Sequence, residues 1–199
     1  MPNKHGNRLT VRTKQALVSA YLELLKKNPS KKVKVYEICE RANLSRPTFY
    51  KHFQTQEEVL LFYMDEVFEE MFTNFRKIHL EDGSVLQFEI AATHFFKLWQ
   101  SKADLFALIK AKKMDYLLIE KLKAHHLITY HQIVYNLFPI QDEEILKYFI
   151  SNISYVFFSI LDEWMESKMN RTPEEMGELL AILFRPLVVK SLSERYNPH

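Results

Sequence analysis

Nine consecutive residues hold six side-chain hydrogen-bond donors and no acid: Ser45-Arg46-Pro47-Thr48-Phe49-Tyr50-Lys51-His52-Phe53. Phe49 and Phe53 lie four apart and so share one face of any helix formed here. The opposite face then carries Arg46, Thr48, Tyr50, Lys51 and His52, each able to donate a hydrogen bond and none of them acidic. Such a face suits phosphate oxygens and base edges in a major groove. The Arg46 fork matches a guanine edge, whereas Tyr50 and Lys51 suit the phosphate backbone.

Other chemistry-bearing residues make weaker constellations. His125, His126 and His131 stand at i, i+1 and i+6, so on a helix they point in different directions, unlike the i, i+4 pair of a zinc helix. No phosphate-binding glycine loop and no nucleophile elbow is present. The single cysteine, Cys39, excludes a disulfide scaffold and a four-cysteine zinc site, and suits a reducing cytoplasm. The expectation is a protein that is not an enzyme, with no catalytic residue, metal site or cofactor. In the second half, His126 and Tyr130 fall within the stripe Leu118, Leu122, Ile133, Leu137, and Asn152 interrupts Ile145, Phe149 and Val156. Trp99, with Phe62, Phe88 and Phe95 nearby in sequence pattern, completes a candidate apolar wall. Trp99, His126, Tyr130 and Asn152 are therefore candidate ligand-binding residues, or else ordinary core residues.

The elements that must position the donor run are helices. Leu17, Ala20, Tyr21, Leu24 and Leu25 recur at helical spacing, predicting a first helix over about 10–27 that Asn28-Pro29-Ser30 halts. Lys31, Lys32 and Lys34 line the connection, and Val35, Ile38, Cys39 and Ala42 mark one face of a short second helix. Asn43 tolerates the left-handed exit, and Ser45 caps a third helix running to about His52. Thr55-Gln56-Glu57-Glu58 is a capping box opening a fourth helix to about His79, and Glu81-Asp82-Gly83-Ser84 reads as a turn. Further helices are expected at about 85–101, 104–112, 114–138, 142–168 and 173–194, about nine in all. Asp142 and the box Thr172-Pro173-Glu174-Glu175 open the last two, and Pro186 should kink or divide the final one.

The class is all-α. Only 3 Gly and 7 Pro disfavour a hairpin-rich fold, and 47% hydrophobic with 26% charged residues excludes wholesale disorder. The polar, basic start Met1–Arg12 lacks the apolar run of a signal peptide. The longest mostly apolar stretch, Phe149–Leu161, has 13 residues where a spanning helix needs about 20, so no membrane is expected. The overall charge of +2 hides an asymmetry. Residues 1–55 carry twelve Lys/Arg against three Glu, a net of +9, while 56–199 carry fifteen against twenty-two acids, a net of −7. A basic unit that meets a polyanion joined to a mildly acidic one that does not places the boundary at 55/56.

Two short helices flanking Asn43-Leu44-Ser45, packed on a longer one, form the pattern of a helix-turn-helix. With Ile38, Ala42 and Leu44 upstream and Glu57-Glu58-Val59-Leu60 downstream, the run from Ser45 to Phe53 resembles the DNA-binding module of TetR/AcrR-type transcriptional regulators, over about residues 9–63. The resemblance implies that Arg46 and Pro47 touch bases. It also implies that Thr48, Tyr50, Lys51 and His52 hold phosphates or adjacent bases, and that Tyr36 faces DNA from the second helix. Two positions depart from the pattern: Gln56 stands where a phosphate-binding Lys often opens the fourth helix, and Lys34-Val35 stand where a Thr often caps the second. Lys34 is then a phosphate contact without capping. The basic start, with Lys4, His5, Arg8 and Arg12, is either an arm along the backbone or minor groove, or a disordered tail.

By the same resemblance, residues 56–199 form a ligand-binding and dimerisation domain. The helix at 142–168 is apolar nearly all round, and Met176, Leu179, Leu180, Leu183, Phe184 and Leu187 give the last helix a similar excess. Pairing both with a second copy would make an intermolecular four-helix bundle, with Phe157 and Leu183 as expected interface residues. The implied function is sequence-specific transcriptional regulation: a cytoplasmic homodimer on a pseudopalindromic double-stranded operator, a repressor released by a small-molecule effector. The competing possibility is a co-regulator acting through protein–protein contacts, without its own operator or effector.

Overall fold

The computed structural model describes residues 4–26, 30–76, 85–131, 135 and 139–196, and among them every regular element is a helix. In order these are α1 (Lys4–Leu25), α2 (Val35–Ala42), α3 (Arg46–His52), α4 (Gln56–Arg76), α5 (Val85–Ser101), α6 (Ala103–Ala111), α7 (Asp115–Thr129), α8 (Glu143–Glu166) and α9 (Pro173–Tyr196). The expected turn at Glu81–Ser84, the stop at Asn28-Pro29, the side chains of Lys4, His5, Arg8 and Leu187, and residues Ile133 and Leu137 lie outside the described residues. The chain divides into two compact units.

The first unit is Met1–Glu69 together with Ala107–Lys113. Here α1 packs against α2 and α3, around Leu17, Tyr21, Leu25, Ile38, Phe49 and Phe53, all buried. Phe49 on α3 and Phe53, which caps its end, are both buried, with ring centroids 6.0 Å apart. Burying a Phe side chain stabilises by roughly 1.5–3 kcal/mol, which is what holds so short a helix in place. The start of α1 differs from expectation. The backbone is helical from Lys4, ahead of the expected start at about residue 10, with no proline between Lys4 and Leu25 to interrupt it.

The second unit is Glu70–Phe106 with Met114–His199. In it α5 packs on α9 and α7 on α8. The α5–α9 approach is close at Gly177, where a Cβ would strike Thr93 Oγ1 and come within 3.0 Å of the Glu89 carbonyl oxygen and the Thr93 nitrogen. Glycine is the residue that permits this packing. Asp142 caps α8 by accepting from the Glu144 and Ile145 N–H groups at 2.8 and 3.0 Å. The α9 box closes reciprocally: Glu175 N–H donates to Thr172 Oγ1 at 3.2 Å and Thr172 N–H to Glu175 at 2.7 Å. The last helix runs through Pro186 as one element rather than dividing there.

Three other expectations change. Helix α7 ends at Thr129, short of the expected residue 138, and Tyr135 N–H bonds back to the Tyr130 carbonyl at 2.8 Å. Phe157 is buried within its own unit, against Phe95 (5.4 Å) and His126 (4.6 Å), and so presents little surface to a second copy. Helix α8 is buried along Ile150, Ser154, Phe157, Leu161 and Trp164, while Ile145, Tyr148, Asn152 and Tyr155 are exposed. By length and composition alone α8 would be long and apolar enough to cross a membrane. Its polar cap, acidic first turn and one-sided burial are those of a helix packed on a protein core.

Candidate nucleic-acid interface

The turn that aims α3 is built by two residues. Asn43 takes the left-handed conformation (φ 52°), letting Leu44 N–H reach back to the Cys39 carbonyl at 2.9 Å. Ser45 then caps α3, its hydroxyl accepting from Thr48 N–H at 3.2 Å, with Pro47 in the first turn where no N–H is missed. Ser45 Oγ and Thr48 Oγ1 also lie 2.8 Å apart, so the Thr48 hydroxyl is shared with the cap.

With Phe49 fixed inward, Arg46, Pro47, Tyr50 and Lys51 are exposed, and Thr48 and His52 are half-buried beside them. Tyr36, 45% exposed, comes up from α2, and the Arg46 guanidinium carbon lies 5.7 Å from its ring centroid. A cation stacked on an aromatic face is held in direction while its N–H edges stay available. Burial and the neighbouring Lys51 and Lys14 charges push His52 below its ordinary value. Lys14 also lies over the Phe53 and Phe62 rings, at 5.5 and 4.7 Å. Eight positions singled out from sequence, the six on α3 with Tyr36 and Lys34, thus belong to one unit, and no carboxylate stands among them.

Lys34 occupies the cap position of α2, but the capping runs in reverse. The Glu37 carboxylate accepts from Lys34 N–H at 2.7 Å and from the Lys31 ammonium at 2.8 Å, which holds its carboxyl below the usual range. Gln56, the departure at the start of α4, turns inward and donates to the Val33 carbonyl at 3.1 Å. In the α4 box Thr55 accepts from Glu58 N–H at 3.2 Å, while Glu58 accepts from Gln54 N–H, one residue earlier than expected. Sequence reasoning missed Glu37, although a Glu three residues after a helix start was the available signal. It also missed Lys112, whose ammonium donates to the Lys31 carbonyl at 2.7 Å; the two stand 81 positions apart, and no local pattern could have paired them.

The candidate ligand residues scatter within the second unit. Trp99 is fully buried, its ring between Phe95 (6.4 Å) and Phe106 (6.0 Å). His126 is buried and bonds through Nδ1 to Ser154 Oγ at 2.9 Å; since Ser154 donates to the Ile150 carbonyl, the imidazole is the donor. Burial, with the adjacent His125 adding to it, pulls His126 down to about 3, and burial pulls His125 down to about 4. Tyr130 is buried and its hydroxyl accepts from Ile140 N–H at 2.7 Å. The aromatic chain Trp99, Phe95, Phe157, His126 links two of the four, whereas Asn152 stands on the exposed side of α8. His131 is exposed and apart from the buried histidine pair.

Comparison with known proteins agrees with this geometry. Residues 13–61 match the family model described as bacterial regulatory proteins, tetR family, and residues 87–186 match one described as transcriptional regulator C-terminal region. The HTH-type dhaKLM operon transcriptional activator DhaS of Lactococcus lactis subsp. lactis (strain IL1403) is 25% identical over 122 residues. That match covers 52% of this chain and 65% of the relative, so the chain spans under two thirds of the relative's length. Among solved structures, a dihydroxyacetone kinase operon activator DhaS superposes with a TM-score of 0.63 at 16% identity, covering 89% of this chain and 97% of that one. A TetR-family transcriptional regulator from Syntrophomonas wolfei gives 0.65 at 15% identity, over 89% and 95% of the two chains. A TetR transcriptional regulator from Streptococcus agalactiae 2603V gives 0.59 at 22%, over 89% and 96%. At these identities the solved structures speak for the fold alone.

Proposed function

The chain belongs to the TetR family of bacterial transcriptional regulators, and on that premise we propose that it acts as a cytoplasmic homodimer, bound to a pseudopalindromic operator and released from it by a small molecule. The observation that carries the DNA-binding part is the acid-free donor face of α3, braced by Tyr36 and flanked by Lys34. In this reading residues 1–55 contact DNA, and residues 56–199 pair with a second copy and take the effector. Arg46 and Pro47 meet base edges; Tyr50, Lys51, His52, Thr48 and Lys34 meet phosphates or neighbouring bases.

Pairing is supported by the apolar residues that α8 and α9 leave exposed: Ile145, Tyr148 and Tyr155 on one, Leu179, Ile182 and Leu183 on the other. Exposed apolar surface of this kind is what a symmetric helix-bundle interface covers. The effector part is supported by polar groups sunk among aromatics, His126 with Ser154 and Tyr130 near Phe149. Trp99 is the aromatic wall of that proposed site, and Asn152, on the other side of α8, its outlying member. An effector releases the operator only by preferring a dimer whose paired α3 helices are differently spaced.

Occupying an operator blocks transcription by exclusion alone, which favours repression as the simplest outcome. A second reading, activation by the same bound dimer, is favoured by the function named for the Lactococcus relative. Selection of bound duplexes from a random pool tests the common core of both. The expected product is a pseudopalindrome with half-sites about 34 Å or a little more apart. Recovery of no consensus would instead support a co-regulator that acts through other proteins.

A further inference from the structure

Within the connection that carries Lys31, Lys32 and Lys34, Val33 N–H donates to the Lys31 carbonyl at 3.1 Å. Two of its carbonyls are also held by side chains from elsewhere in the first unit. Gln56 takes the Val33 carbonyl from the start of α4, and the Lys112 ammonium takes the Lys31 carbonyl from just past the end of α6. Lys112 lies in the segment Ala107–Lys113, which packs with the first unit although it is remote in sequence and outside the matched helix-turn-helix segment. Lys112 is half-buried as a residue, its bond to the connection lies at the surface, and what burial there is lowers its ammonium below the ordinary lysine range while Glu57 opposes that shift. A cation spent on a backbone carbonyl is not a free phosphate contact. It fixes where the carbonyl, and the chain that follows it, can go.

We infer that Lys112 is a positioning residue for DNA binding, its ammonium pinning the Lys31 carbonyl so that Lys32, Lys34 and the start of α2 meet the phosphate backbone in register. The inference rests on the DNA-binding reading given above. The Lys31 ammonium is paired with Glu37, which leaves Lys32 and Lys34 as the cations of this connection whose placement matters for phosphate contact. Gln56 and Lys112 hold consecutive odd-numbered carbonyls from different elements, so neither replaces the other.

The test compares Lys112→Met, Lys112→Arg and Lys113→Met in the full chain. Lys113 is an exposed cation one residue on, so its loss removes equal charge without removing the bond. Duplex affinity at several salt concentrations is one readout, and amide exchange at Val33 and Lys34 in the DNA-free protein is the other. Lys112→Met should weaken binding about two- to tenfold, the range set by one net hydrogen bond, and lower the salt slope. Exchange at Val33 and Lys34 should quicken while that at Phe49 and Leu60 stays unchanged. Lys112→Arg should restore both, and Lys113→Met should change neither.

Equal weakening by Lys112→Met and Lys113→Met would reduce the effect to general charge and overturn the inference. So would faster exchange throughout α1, α2 and α3, which would mark a merely structural role, or no change at all. Should the unaltered protein bind no duplex, the proposed function fails. The exchange readout then still decides whether Lys112 fixes the connection.

Discussion

Arg46 and Lys51 stand five residues apart on one short helix, yet they should fail differently when removed. Arg46 is stacked over Tyr36 with its donor edge free, a geometry suited to reading a guanine, whereas Lys51 is an exposed point charge at the end of α3. Arg46→Ala should cost roughly 1–3 kcal/mol per half-site on the preferred operator and relax preference at particular base pairs. Lys51→Ala should weaken specific and scrambled duplexes alike and reduce the salt slope by about one. Affinities for both duplexes across a salt series separate the two, with circular dichroism confirming folding; an unchanged specific-to-scrambled ratio in Arg46→Ala would remove its role as a base reader. The residue types of this face were legible from the sequence because the spacing of Phe49 and Phe53 leaves this short helix only one way to face. The Arg46–Tyr36 stack and the inward turn of Gln56 were not, since both join separate helices whose relative placement no periodicity encodes.

Element boundaries followed from caps and breakers: Asn43, Ser45, Asp142 and Thr172 each do locally what their types suggest. What the pattern could not distinguish is which apolar stripe of α8 faces its own core. Both stripes are hydrophobic, and the structure buries Ile150, Phe157 and Leu161 while exposing Ile145, Tyr148 and Tyr155. Phe157 and Leu183, alike in sequence pattern, therefore have opposite expected phenotypes. Leu183→Glu, on the 52% exposed side of α9, should leave each chain folded but break the dimer and so weaken operator binding. Phe157→Glu should unfold the second unit, because it buries a charge without a partner at a cost of several kcal/mol. Sedimentation and thermal melting check this. A Leu183→Glu protein that still dimerises would place the interface elsewhere.

At the scale of the whole molecule, the charge split between the basic start and the acidic remainder was readable in full, because charge needs no geometry. The buried pair His125 and His126 was not, since its neutrality comes from depth within the α7–α8 packing. Their folded values, about 4 and about 3, lie below the ordinary 6.5. Below about pH 6.5 the unfolded chain takes up protons that the folded chain refuses. Stability from this source is therefore complete above that pH and falls as the solution is acidified, by about 1.4 kcal/mol per pH unit for each histidine. Urea midpoints between pH 7 and 4.5 measure the slope, and His126→Gln should flatten it; equal slopes in the two proteins would mean that His126 charges as freely folded as unfolded.

The claim on which the rest depends is that two copies read one operator through paired α3 helices. Sedimentation of the protein with its selected duplex, at a concentration well above the dissociation constant, measures this most directly. The expected result is a complex of two chains per pseudopalindrome, lost when the half-site spacing is changed by five base pairs, about half a helical turn. A single chain bound to an isolated half-site, as tightly as to the whole operator, would contradict it.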